Sequence, residues 1–304
     1  MSTLAPIVVF AYRRPDHLRN TLESLKQCEG FSDSPVIVYC DGPRNAAEVS
    51  LVEATRKVAK ELLGDGAEYH FSEENRGLSR SVITGVSETL ERFGRAVVVE
   101  DDLELNPGFL RYMNEALDRY ADEEQVFQIS GYMFDVPEFS KVQQAMFMPF
   151  TVSWGWGTWK RAWDHFDSNA TGWEAVRTDA VLRKRFNLEG VYDYATMLIR
   201  QMEGLRDSWA IRWYWAVFRE NGLVLFPPVT LVSNKGFDGS GSHGRGWFRG
   251  FSVKKNFSKV GSIALPLATR LDLEQYRKVT STMWRQNGGW VTTILDRLRR
   301  KFGS

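Results

Sequence analysis

The first third of the chain alternates short apolar runs with amphipathic stretches. Ile7–Tyr12 is a β-branched run that predicts a buried strand, and Pro15–Lys26 follows with Leu18, Leu22 and Leu25 at helical spacing. Val36–Cys40 predicts a second strand, stopped by the turn signal Asp41-Gly42-Pro43. Ala46–Leu63 predicts a charged amphipathic helix closed by Gly64, Ala67–Phe71 a third strand, and Ser79–Phe93 the next helix. Ala96–Val99 is a fourth, wholly apolar strand running into Glu100-Asp101-Asp102, and Phe109–Tyr120 predicts the helix beyond it. Strands apolar on both faces and separated by helices specify a mostly parallel, Rossmann-like α/β sheet flanked by helices. Ligands of such sheets bind beyond the carboxyl ends of the strands. Asp41, Asn75 and the Glu100–Asp102 cluster all fall at those ends.

The pattern changes near residue 130. No Trp precedes Trp154, whereas eight of the eleven lie between Trp154 and Trp215, so the second half is built on aromatic packing. Residues 220–243 predict strand and loop, ending in the glycine-rich Gly236–His243. From Trp290 onward, Trp290, Val291, Ile294, Leu295, Leu298 and Phe302 form one helical stripe, flanked by Arg297, Arg299, Arg300 and Lys301. That is the pattern of an interfacial amphipathic helix; a helix packing the same stripe on the protein body is the alternative. No repeat or Pro/Ser-rich linker interrupts the chain. Residues 1–130 and 131–250 are therefore expected to form two halves of one body, followed by a basic extension over 251–304 with a helical tail.

Composition narrows the classes. With 43% apolar and 25% charged residues over 304 positions the chain can offset its ordering entropy, which excludes a disordered protein. A formal charge of +1 excludes a general nucleic-acid binder. The balance is uneven, however: residues 241–304 carry 13 Lys/Arg against 3 Asp/Glu, so the tail is basic and the body acidic. An anionic membrane surface is thus an expected partner of the tail. Cys28 and Cys40 are too few for a disulfide framework or a thiolate zinc site. The N-terminus has no charged segment followed by an apolar one, and no apolar run approaches the ~20 residues of a membrane span. The expected location is cytoplasmic, peripheral at the inner face of the membrane if the tail attaches.

The sharpest chemical feature is Val97-Val-Val-Glu100-Asp101-Asp102-Leu103. Three carboxylates after a buried strand repel one another, and a divalent cation relieves that repulsion. Mn²⁺ and Mg²⁺ take one or two protein carboxylates and complete their shell with water and phosphate oxygens. A solvated acidic turn is the plainer alternative. Strand alternation predicts that Glu100 and Asp102 share a direction which Asp101 does not.

In this context the triplet resembles the metal-binding acidic motif of GT-A-fold glycosyltransferases, and other segments fit the same family in the same order. Val8–Pro15 resembles the first strand and loop that grip the nucleotide base, which implies roles for Ala11, Tyr12 and Arg13. Cys40-Asp41-Gly42 resembles the second strand end, whose aspartate hydrogen-bonds the base. Asn75-Arg76-Gly77-Leu78-Ser79, with Arg80 just beyond, resembles the segment leading toward the nucleotide in family 2-type transferases. Val99–Leu103 followed by Pro107-x-Phe109-Leu110 is closest to the N-acetylglucosaminyltransferase I group and its bacterial relatives. The resemblance spans roughly residues 5–245. It implies a GT-A fold, Asp102 as the direct ligand of Mn²⁺ or Mg²⁺, and Glu100 and Asp101 on the ribose, the sugar or metal-bound water.

Inverting sugar transfer also needs a base for the acceptor hydroxyl. Asp207, in Asp207-Ser-Trp209, resembles the aspartate before a tryptophan that serves this role in the same group, although that group often reads Asp-Asp-Trp. The alternative is a helix N-cap before Trp209, with Glu203 as the next base to consider. Glycines in Gly236–His243 allow close approach to a phosphate, and His243, with Arg245 near, is expected on the diphosphate or the metal. Among the aromatics, Trp154, Trp156 or Trp209 is expected to face the acceptor, the rest packing in the core. The implied function is an inverting glycosyltransferase with a nucleotide-sugar donor, UDP-linked by resemblance, and a glycan or lipid-linked acceptor. A sugar-1-phosphate nucleotidyltransferase would carry a glycine-rich loop after its first strand, and this chain has none there. A non-catalytic carbohydrate-binding protein on the same scaffold is the third reading.

Overall fold

The computed structural model describes residues 4–236 and 260–286. Four strands, β1 (Ile7–Ala11), β2 (Val36–Cys40), β3 (Ala67–Phe71) and β4 (Arg95–Glu100), lie parallel, with β1 between β2 and β4. Their crossovers are α1 (Pro15–Lys26), α2 (Val49–Leu63) and α3 (Leu78–Phe93). Proline opens α1 with its φ already helical, and Leu18, Leu22 and Leu25 are wholly buried, as their spacing predicts. The predicted helix from Ala46 divides in two. Asn45 accepts from Ala47 N and sets a tight 3₁₀ turn over Ala46–Glu48, and α2 begins at Val49.

After β4 come β5 (Leu103–Leu105), α4 (Phe109–Arg119) and β6 (Val126–Ser130), then β7 (Met146–Met148) and β8 (Trp156–Trp159). After these come α5 (Lys160–Trp163), α6 (Ala175–Thr178), α7 (Ala180–Phe186), α8 (Tyr194–Met202) and α9 (Trp209–Arg219). The described chain closes with β9 (Leu223–Phe226), β10 (Val232–Asn234) and α10 (Leu273–Gln286). One sheet runs through both halves in the order β3-β2-β1-β4-β8-β6-β9-β7, with β8 antiparallel to β4 and to β6. The sheet is continuous across residue 130, with β4 and β8 joined by backbone hydrogen bonds. A separate antiparallel ribbon pairs β5 with β10, Leu103 opposite Asn234. Because β5 starts immediately after the acidic triplet, this ribbon brings residues 235–236 onto it.

Residues 260–271 return along β7, where Ala264 bridges Gln144 and Leu271 bridges Phe147. α10, which the hydrophobic pattern did not single out, then buries Val279, Thr280, Thr282 and Met283. The glycine-rich stretch beyond Gly236, with His243 and Arg245, and the stripe from Trp290 lie outside the described residues. Among the described residues no helix is long and apolar enough to cross a membrane.

Candidate active site

β1, β2 and β4 end at one edge of the sheet, and a cavity opens there. Ala11, Tyr12, Arg13, Asp41, Asn75, Glu100 and Asp101, drawn from four separate segments, all line it. Arg80 instead lines a neighbouring polar cavity with Tyr39, His70 and Glu88.

Asp41 is almost buried, and its acceptor capacity is filled by its own chain. Oδ1 accepts from Gly42 N at 2.9 Å and Arg76 N at 2.8 Å. Oδ2 accepts from Asn75 Nδ2 at 3.0 Å and Gly77 N at 2.8 Å. A carboxylate has about four lone-pair sites, and here all four are used to clamp the loop before α3 to the end of β2. Asn75 is committed in the same way, donating also to Gly42 O at 2.9 Å. Backbone contact is close enough that a Cβ on Gly42 would lie 2.5 Å from the Glu74 carbonyl carbon. Asp41→Ala leaves buried donors unpaired and is expected to destabilise the protein by about 3 kcal/mol in urea unfolding.

The Tyr12 side is organised by two residues that the sequence pattern did not mark. Glu48 turns inward from the 3₁₀ turn and accepts from Tyr12 Oη, from Arg44 N at 2.9 Å and, as an ion pair, from Arg13 at 2.9 Å. The guanidiniums of Arg13 and Arg44 lie 5.8 and 5.6 Å from the Tyr12 ring centroid. Burial, with Glu48 as acceptor, pushes the Tyr12 hydroxyl up to about 12, so it remains a donor. Glu48 is marked only by its place after the Asn45 turn, which carries no chemistry in the sequence alone.

At the acidic triplet the structure corrects the expected alternation. β4 ends at Glu100, and Asp101-Asp102 form a turn that brings both carboxylates onto one guanidinium. Arg14, the residue before α1, donates from Nη2 to Asp101 Oδ1 and pairs from Nη1 with Asp102 Oδ2 at 3.0 Å. Asp101 is 3% exposed and further anchored, with Tyr12 N donating to Oδ2 at 3.3 Å and Thr21 Oγ1 to its carbonyl at 2.8 Å. Burial raises the pKa of both Glu100 and Asp101. Asp102 and Asp101 add to the rise at Glu100, while Arg14 opposes it at Asp101. Asp102 Oδ1 is buried with no hydrogen-bond partner among the described residues. A buried anionic oxygen without a partner is costly, and it is the atom to which a cation would bind. No preformed cluster of three His, Cys, Asp or Glu side chains suited to a metal exists among the described residues. A cation here would thus draw most of its shell from water and phosphate. Gly236 closes over the same carboxylate: a Cβ there would lie 2.1 Å from Asp102 Oδ2.

Asp207 comes from the second half, in the turn between α8 and α9. Ser208, not Asp207, is the N-cap residue of α9. The Asp207 carboxylate is 62% exposed and lies 3.8 Å from Arg212 Nη2. It reaches the first half, since a Cβ on Gly77 (φ +81°) would be 3.5 Å from its Oδ2. The N-terminus of α3 is thus bracketed by Asp41 and Asp207. Arg212 fixes this meeting point by donating to Ser79 Oγ at 3.0 Å and Ser208 O at 3.3 Å. Glu203 is occupied with Arg177.

Of the three tryptophans considered for an acceptor, two are interior. Trp156 is wholly buried and stacks on the buried Trp209 with centroids 5.2 Å apart, so neither ring has a face free for a sugar. Trp154 is half-buried and lines an aromatic cavity of about 130 Å³ with Tyr132, Tyr192, Tyr194, Ser208 and Met283. Ser208 places that cavity one residue from Asp207.

A parallel half-sheet with an acidic turn after its fourth strand, continued through an antiparallel strand into a second group of strands and helices, is the GT-A arrangement. Residues 7–201 match the model of glycosyl transferase family 2, and the chain belongs to that family. Among curated proteins no sequence matches. Solved structures similar to this one include a cytidylyltransferase from Leptospira borgpetersenii serovar Hardjo-bovis. It is 12% identical with a TM-score of 0.33, over 53% of this chain and 62% of that one. The galactosyltransferase LgtC in complex with donor and acceptor sugar analogs is 10% identical with a TM-score of 0.38, over 72% of each chain. Mouse xyloside xylosyltransferase 1 is 11% identical with a TM-score of 0.36, over 71% of this chain and 81% of that one. S. aureus TarS is matched over only 21% of its own length, and the cytidylyltransferase over less than two thirds.

Proposed function

We propose that the protein is an inverting glycosyltransferase that moves a sugar from a nucleoside diphosphate to a hydroxyl of a glycan or lipid-linked acceptor. The observation that carries this reading is Asp207, an exposed carboxylate from the second half that approaches Gly77, between the pocket-lining residues Asn75 and Leu78. The donor lies across the ends of β1, β2 and β4, its nucleoside against Tyr12, Arg13 and Arg44 and its diphosphate toward the acidic turn. Asp102 is the residue that would hold Mn²⁺ or Mg²⁺, with Glu100 and Asp101 toward the ribose, the sugar or metal-bound water. The bound cation supplies neutralisation of the charge on the leaving nucleoside diphosphate. Asp207 takes the proton of the acceptor hydroxyl as that oxygen attacks the anomeric carbon from the face opposite the leaving group. That role follows the resemblance to the N-acetylglucosaminyltransferase I group. A UDP donor and a place for His243 on the diphosphate or the metal rest on the same footing. Trp154 and its aromatic cavity receive the apolar face of the acceptor sugar. A lipid-linked acceptor suits the apolar stripe from Trp290 and its basic flank, which would hold the enzyme at an anionic membrane surface.

The test is release of nucleoside diphosphate from a panel of UDP-, GDP- and dTDP-sugars, with Mn²⁺ and with excess chelator. Metal-dependent release from one donor is expected. Pyrophosphate release from a nucleoside triphosphate and a sugar 1-phosphate would instead favour the nucleotidyltransferase reading, and binding without turnover a carbohydrate-binding protein. In the same assay Gly236→Ala is expected to cost about 10²-fold in turnover, because its Cβ must push Asp102 from position and an ångström of misplacement is worth about that much.

A further inference from the structure

The acidic turn holds one feature that sugar transfer itself does not call for. Arg14 is already seated where positive charge is wanted. Its guanidinium spans Asp101 and Asp102, and its side chain is only 18% exposed. Asp101 has Tyr12 N and Thr21 as further partners, whereas the Asp102 carboxylate has Arg14 on Oδ2 and no partner on Oδ1 among the described residues. Gly236 lies against Oδ2 and Arg14 together, its virtual Cβ 2.1 Å from the one and 3.1 Å from Nη1 of the other, so the pair is packed in place. Arg14 carries no capping hydrogen bond to α1 either; its side chain is committed to the carboxylates.

We infer that Arg14 is a built-in counter-cation that competes with the divalent ion for Asp102, keeping the acidic turn formed without metal and the metal weakly bound until the donor diphosphate contributes its oxygens. The inference rests on the metal role of Asp102 proposed above. Its physical basis is that a fixed guanidinium within an ion-pair distance repels a second cation, an interaction partly shielded from solvent here. One oxygen of Asp102 is left without a partner among the described residues while Arg14 holds the other.

The test is Mn²⁺ binding without nucleotide, measured by calorimetry and by the loss of free-ion electron paramagnetic resonance signal, together with melting of the metal-free protein. Relative to wild type, Arg14→Gln is expected to bind Mn²⁺ at least tenfold more tightly, to melt lower without metal, and to regain that loss when Mn²⁺ is added. Arg14→Lys, which keeps the charge but loses the fork, should fall between the two and serves if Arg14→Gln does not fold. Asp102→Asn should lose the added affinity in the Arg14→Gln background. Unchanged or weaker Mn²⁺ binding by both Arg14 variants, with wild type binding measurably, overturns this inference alone. Absence of Mn²⁺ binding from wild type and both variants without nucleotide overturns this inference, and absence of binding with nucleoside diphosphate present as well overturns the metal role of Asp102.

Discussion

Asp102→Asn is expected to fold like wild type and to lose at least about a thousandfold in sugar transfer, because the lost stabilisation of the leaving diphosphate is worth several kcal/mol. The fold should survive because the Asp102 side chain makes one ion pair, to Arg14, and its other oxygen bonds nothing among the described residues. Asparagine fills the same volume and its amide oxygen still accepts from Arg14. Turnover is read as nucleoside diphosphate release at saturating Mn²⁺, and folding by circular dichroism and melting temperature. Full activity of this variant, or of wild type in excess chelator, would refute a metal at this position.

Asp207→Asn is expected to keep donor affinity and to lower kcat by about 10²–10⁴-fold, the usual worth of a general base. Stability should not change, since the carboxylate is largely exposed and Ser208 takes the N-cap position of α9. Steady-state kinetics with separate donor titration, plus urea unfolding, decide the matter. If unfolding shifts while kcat does not, Asp207 is structural and Glu203 becomes the next carboxylate to remove, although its pairing with Arg177 counts against it.

The first four strands were legible because β1, β2 and the Ala96–Val99 stretch of β4 are short and wholly apolar, with β3 alternating Ala67, Tyr69 and Phe71 against Glu68 and His70, and helical patterns separate them, which leaves a parallel sheet as the natural solution. Their ends then placed Asp41, Asn75 and the acidic triplet together without knowledge of any contact. What the pattern did not carry is how donors and acceptors pair inside the site. Asp41 looks chemical in the sequence, yet four hydrogen bonds to residues 42 and 75–77 consume it. Arg14 and Glu48 look like surface charges, yet both turn inward, because a helix start and a 3₁₀ turn aim them at groups distant in sequence. Strand alternation misplaced Asp101 relative to Asp102 because the strand stops one residue before them. Trp156 and Trp209 lie 53 residues apart in the chain but pack ring on ring, which no local pattern encodes. α10 was missed because its buried face is Val279, Thr280, Thr282 and Met283, too short and polar a stripe to stand out among charges.

In the proposed mechanism a donor held at the strand ends is attacked in a single displacement by an acceptor activated at Asp207, on the opposite side of the sugar from the acidic turn. The most direct measurement is proton NMR of the reaction from its start, reading the anomeric coupling constant of the first product formed from the donor identified by nucleoside diphosphate release. A product whose anomeric configuration is inverted relative to the donor is expected of this mechanism. A product with the donor's configuration retained would contradict it, because a single attack from the Asp207 side cannot preserve that configuration.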